Sequence, residues 1–136
     1  MGVALMALTV DEVADFLEGV AGVTYEVRVG KMPEDPDSVI VVRDYAGRAD
    51  LGFGVDGVQH ETVGIQIRAR GGARDYDGPR SQIELAYRAL AGVQGEALGG
   101  TEYLICRPQS APFELETDEQ DRTVFAVSFL CEKEPS

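Results

Sequence analysis

Apolar positions recur at spacings of three and four in two stretches of the chain and alternate with polar ones in others. Val10, Val13, Leu17 and Val20 form the first stripe and predict a helix over residues 10–19. Thr9 and Glu12 stand at its start with the spacing of a capping box. In that motif the hydroxyl accepts from a first-turn amide and the carboxylate reaches back to the cap's own N–H. Asp11 and Glu12 also sit at the positive end of the helix dipole, and Gly19 and Gly22 end the element. A second stripe, Ile83, Ala86, Tyr87 and Leu90, predicts a helix over 79–90. Pro79 takes its first position, where a missing N–H leaves no bond unmade.

The strands read from β-branched runs and alternation. T-Y-E-V-R-V predicts a short strand over 24–29, and V-I-V-V-R another over 39–43. Between them Pro33 and Pro36 remove donors and fix φ, so residues 31–38 form a rigid turn. From about residue 58 to Arg70, Val63, Ile65, Ile67 and Ala69 face one way. Thr62, Gly64, Gln66, Arg68 and Arg70 face the other. This predicts a strand with one side packed and one side wet or covered by a partner. Residues 103–107 and 123–131 supply the last two strands. Residues 44–57, rich in glycine, and residues 71–78 read as long loops, which are commonly functional. The order of helix, two strands, loop, strand, helix and two strands predicts one α+β domain over residues 1–136. Its sheet is mostly antiparallel, with about four to five strands and two helices packed on one face. Residues 132–136 are expected to form a short C-terminal tail.

Composition narrows the function. The 136 residues carry 12 basic and 24 acidic side chains, a net charge of −12. Gripping nucleic acid by neutralising phosphates needs the opposite excess. The acids are spread along the chain, not gathered into a tail. No segment reaches the ~18 consecutive apolar residues of a membrane span. The opening MGVALMAL lacks a basic region and meets Asp11 and Glu12 too soon for an export signal. Without export, Cys106 and Cys131, each inside an apolar run, are expected to be buried thiols in a reducing cytoplasm.

The motifs that suggest enzyme chemistry each lack a necessary part. Gly52-Phe53-Gly54-Val55-Asp56-Gly57 spells G-x-G-x-x-G, but a dinucleotide site needs a strand before it and a helix after it. Here a loop precedes and a strand follows. His60 and Glu61 have no second histidine beside them, and Cys106 and Cys131 are not spaced as metal ligands. Asp35 and Asp37 begin like a calcium loop, but Val39 and Ile40 occupy the third ligand and glycine positions. Pro36-Asp37 resembles one half of a metal-dependent nuclease motif, and neither lysine has an acid two residues before it. His60 is the one histidine available as a base. A small acid- or metal-dependent hydrolase built on it is the enzymatic alternative. No cofactor and no metal are expected.

The arginines carry more information. They outnumber lysines ten to two, and Arg68, Arg70, Arg74, Arg80 and Arg88 fall within twenty-one residues. Arginine favours bidentate pairing with carboxylates at interfaces. An acidic chain with one arginine-rich region can bind a copy of itself head to tail, and such contacts close into rings. Scattered surface ion pairs, each worth ~0–1 kcal/mol, are the other reading.

Four segments, in order, carry a resemblance: the opening helix over 10–19 with its following strand; Pro33-Glu34-Asp35-Pro36-Asp37 running into the strand over 39–42 and then Asp44-Tyr45-Ala46-Gly47; the strand over 63–70 leading through Asp75-Tyr76 into the helix over 79–90; and Asp121-Arg122 opening the strand T-V-F-A-V-S-F. In these the chain resembles the tail terminator and minor capsid (head–tail joining) proteins of long-tailed bacteriophages. The resemblance implies a non-enzymatic virion protein of the tail or neck, assembled in the host bacterial cytoplasm. It implies a homo-hexameric ring that caps the tail tube, ends its polymerisation and meets the head-completion proteins. A different neck subunit, a head-completion or stopper protein, is the neighbouring alternative. DNA is expected to pass through the channel without specific binding, since an acidic lumen repels phosphate, and no membrane is involved. Arg68, Arg70, Arg74 and Arg80 are the expected subunit-interface residues. Asp50, Phe53 and Asp56 are the expected partner contacts on the first loop.

Overall fold

The computed structural model describes residues 9–53 and 59–134, the side chains of 46–53 and 59–60 excepted. Among these residues two helices, α1 (Thr9–Glu18) and α2 (Asp77–Ala91), accompany seven strands. The strands are β1 (Glu26–Val29), β2 (Val39–Phe53), β3 (Gln59–Ala73), β4 (Gln94–Leu98), β5 (Thr101–Pro108), β6 (Phe113–Thr117) and β7 (Arg122–Lys133). They form one sheet in the order β1-β2-β3-β7-β5-β4, and β6 also pairs with β7. The far side of β7 is therefore shared, with β6 along its first half and β5 along its second. The fold is α+β as expected, but the sheet is larger than four to five strands and is mixed, because β1 runs parallel to β2.

Alternation sets the core. Ile40, Ala69 and Phe125 stand in one cross-strand row, and Val42, Ile67 and Val127 in the next. Val13 and Leu17 of α1 and Ile83, Ala86 and Leu90 of α2 pack onto this face, and all of these side chains belong to one buried cluster. The predicted helical stripes are thus the faces that the helices bury. Each fully buried aliphatic side chain among them contributes roughly 1.5–3 kcal/mol.

Three local expectations are corrected. Residues 44–57 do not form a loop throughout: Ala49, Asp50, Leu51, Gly52 and Phe53 pair with Val63, Thr62, Glu61, His60 and Gln59 in a long hairpin. The register shifts between Asp44 and Ala49, and Gly64 faces the irregularity. A Cβ on Gly64 would lie 2.3 Å from the carbonyl oxygen of Tyr45, so a side chain there would keep the strands apart. The second expected loop shrinks to residues 74–76, because β3 continues to Ala73 and α2 begins at Asp77. The tail expected from residue 132 begins later, since Glu132 and Lys133 pair within β7.

The capping box is corrected as well. Glu12 is buried, and its carboxylate accepts from Thr101 Oγ1 at 2.5 Å and Tyr103 OH at 2.7 Å. It joins α1 to β5. Burial and the neighbouring Glu12 together hold the Tyr103 hydroxyl well above the ordinary phenol range, so it stays a proton donor.

Candidate assembly surface

The second sheet face, expected to be wet or covered by a partner, is largely closed by the chain's own side chains. Val39 pairs with Arg70 and Val41 with Arg68 across β2 and β3, and Val124 and Ala126 continue these rows on β7. The arginine and glutamine side chains lie over small apolar neighbours and bond one another. Arg68 Nε donates to Gln66 Oε1 at 2.7 Å, and Gln66 Nε2 donates to Ser128 Oγ at 3.3 Å. Burial, with Arg43 nearby, lowers the Arg68 pKa from its ordinary value. Long polar side chains have covered this face with their stems while their heads found partners within the chain.

Arg70 is 3% exposed. Its guanidinium donates to the carbonyls of Asp37 at 3.0 Å, Pro36 at 2.7 Å and Glu34 at 3.3 Å. It thereby holds the proline-rich segment that returns the chain from β1 to β2. Within a single copy the Arg70 guanidinium is thus turned to this segment and not to solvent.

Arg122 does the same work from the other side, and sequence reasoning missed it. It is 4% exposed and meets three carboxylates: Glu34 at 3.1 Å, Asp37 at 2.9 Å and Asp118 at 2.8 Å. Burial pulls its pKa down, but the hydrogen bonds to Asp37, Asp118 and Glu34 outweigh that and raise it. Desolvation likewise pushes Asp118 up. The Arg122 N–H and guanidinium and the Gln120 N–H prevail, leaving Asp118 below the ordinary carboxylate value. The Asp118–Arg122 spacing was the available signal, but Arg122 was read only as a residue opening the last strand. With Glu34, Asp37 and Asp118 all turned to one guanidinium, the cluster suits structure better than cation binding. Among the described residues no group of three or more His, Cys, Asp or Glu is placed to hold a metal.

Two of the predicted arginines do face outward. Arg74 has 87% of its side chain exposed and pairs loosely with Asp121 at 3.6 Å. Both residues adopt left-handed backbone conformations, φ 61° and 62°, and the Arg74 N–H donates to the Asp121 carbonyl at 2.8 Å. Non-glycine residues seldom take this conformation, so the contact fixes where Arg74 is presented. Arg80 is exposed on α2. With Asp77, Ser81, Glu84 and Arg88 it lines an open groove of about 500 Å³. Arg88 pairs with Glu84 at 3.3 Å one turn away. A shallow groove of mixed charge suits a protein partner; small-molecule sites are mostly apolar and enclosed.

Of the expected loop contacts, Asp50 and Phe53 lie in β2, paired with Thr62 and Gln59, and Asp56 lies outside the described residues. His60 is on β3, paired with Gly52. Residues 54–57 of the G-x-G-x-x-G segment lie outside the described residues, and Gln59 beyond it opens a strand and not the helix that a pyrophosphate site needs.

This arrangement defines a small α+β protein whose two buried arginines hold the proline-rich segment, and whose outward arginines include Arg74 on a turn and Arg80 and Arg88 on one helix. The family described as bacteriophage tail terminator protein matches residues 9–135. The chain belongs to that family. It is accordingly a structural protein of a phage tail and not an enzyme, which closes the hydrolase reading built on His60. No curated protein matches the chain. Among solved structures it is similar to a chain of the virion of a native gene transfer agent particle, with 13% identity and a TM-score of 0.56. The similarity covers 96% of this chain and 89% of that one. At that identity the likeness shows a shared fold.

Proposed function

We propose that the protein forms a homo-hexameric ring that caps the tail tube, ends its polymerisation and joins the tail to head-completion proteins in the neck. The observation that carries this reading is the family match across residues 9–135. The surface chemistry supports self-association. Arg74 and Arg80 are outward-facing cations on an otherwise acidic chain of net charge −12, so a neighbouring copy offers them carboxylates in abundance. Ring closure follows from a head-to-tail contact of this kind when the rotation between copies closes. Arg68, half-buried over Val41, is a lesser contributor to such a contact. The end of β2 that carries Asp50 and Phe53, together with Asp56, is the proposed contact with the tube or neck proteins. An acidic ring lets DNA pass without holding it, because attraction to phosphate requires a basic surface.

Native mass spectrometry of the purified protein tests the assembly, with and without short tubes of the tail tube protein. The expected species has the mass of six chains of 14.7 kDa. Arg74→Glu with Arg80→Glu is expected to keep the fold and abolish that species. A monomer under every condition, or a ring unchanged by the double reversal, would refute the ring or its contact respectively.

A further inference from the structure

Cys106 and Cys131 were expected only to be buried thiols. The fold gives them a relationship that their separate apolar runs do not reveal. They are direct register partners on the antiparallel pair β5 and β7. Both are free and buried on the helix-covered face. Directly opposed residues of an antiparallel pair have Cα atoms about 4.5 or 5.5 Å apart. Both separations fall within the range of about 4.4–6.8 Å that a disulfide spans. Their side chains point to the same face, with Cβ atoms roughly 4.5–5.5 Å apart. A bond between the sulfurs therefore needs only a small approach and no change of register.

We propose that Cys106 and Cys131 are a dithiol that closes to an intrachain disulfide, stapling β5 to β7, on exposure to a low-molecular-weight disulfide. One cysteine thiolate attacks a sulfur of the oxidant, forming a mixed disulfide and releasing one small thiolate. The second cysteine thiolate then attacks the protein sulfur of that mixed disulfide and releases the other small thiolate. The two protons leaving the cysteines are taken up by the two leaving thiolates. The protein loses two electrons and the oxidant becomes two thiols. The reaction depends on the chain alone and not on the proposed ring.

The same surroundings set its pace. The neighbouring Cys106 thiol and burial push the Cys131 thiol far above its ordinary pKa, so Cys131 presents almost no thiolate in the native protein. Reaction waits for a local opening. Such an opening has a short route, because β5 is flanked on its outer side by β4, an edge strand with four of its five residues exposed. The pair thus stays reduced in a thiol-rich cytoplasm and closes during prolonged exposure to an oxidising medium. Closing a loop of about 25 residues constrains the unfolded chain enough to raise the melting temperature by roughly 5–10 °C.

The test incubates the full chain with oxidised glutathione, natively and in urea below the unfolding transition. Intact mass under non-reducing conditions, peptide mapping and calorimetry follow. The expected result is loss of two hydrogens, a linked peptide joining Cys106 to Cys131, and a Tm about 5–10 °C higher that reverts with reductant. Cys106→Ala is expected to stop at a glutathione adduct on Cys131. Persistent adducts on the wild-type chain would overturn the proposal. So would an unchanged mass under conditions where both thiols titrate, or an oxidised form less stable than the reduced one.

Discussion

Replacing Tyr103 by phenylalanine deletes one oxygen from the centre of the protein and leaves the ring that fills the space. That oxygen donates to Glu12 at 2.7 Å, and Thr101 donates to the other carboxylate oxygen at 2.5 Å. Glu12 and Tyr103 are both buried, so water does not readily replace the lost donor. A hydrogen bond to a charged group contributes about 1.5–3 kcal/mol, and the acceptor left behind bears the loss. Thr101 still satisfies part of the carboxylate, which places the expected cost near 2 kcal/mol. For a chain of this length that corresponds to a Tm lower by roughly 5–8 °C. Urea denaturation is the assay: the midpoint is expected to fall with an unchanged slope, since the surface exposed on unfolding is the same. A double-mutant cycle with Glu12→Gln then isolates the coupling. A Tyr103→Phe protein within about 0.5 kcal/mol of wild type, a change typical of an unconstrained surface position, would refute the argument that this bond joins α1 to β5.

Three further outcomes follow from the geometry. Asp118 has its folded pKa held below the ordinary value of 3.8; its contribution is complete above about pH 4 and is lost as pH falls through the folded value. Asp118→Asn is therefore expected to flatten the fall of stability below pH 4, measured by thermal melts at stepped pH. At Gly71 an added Cβ would stand 2.6 Å from Pro79 Cδ, so Gly71→Ala should displace the first turn of α2 and cost roughly 1–3 kcal/mol in chemical denaturation. Arg70→Met removes the donors from three backbone carbonyls of the proline-rich turn. Faster proteolysis within residues 31–38 is expected, checked by limited digestion and mass mapping.

The sequence made the helices and the central strands legible for a physical reason: each buries one face, and burial writes a period into the residues. Ile65, Ile67 and Ala69 are fully buried, as their alternation requires. The strands β4 and β6 were missed because most of their residues are exposed. Q-G-E-A-L sits among glycines, and F-E-L-E-T lies in an acidic stretch after Pro112, so little hydrophobic signal marks either. The parallel pairing of β1 was not readable, since register between separate strands is set by tertiary packing. The arginines show the same limit at the surface. Arg68 to Arg88 stood out as a cluster, but whether each faces a neighbour or a carbonyl depends on turns far along the chain. Arg70 finds its acceptors 33 to 36 positions away. Arg122 reaches Glu34 across 88, a distance at which no local pattern reports contact.

The proposed role of the protein is to end tube growth, a role on which the proposed ring and its contacts converge. Electron microscopy of tail tube protein polymerised with and without it tests that claim most directly. Tubes that stop lengthening and carry ring density at one end are expected when the protein is added. Tubes of unchanged length distribution, with bare ends, would contradict that claim.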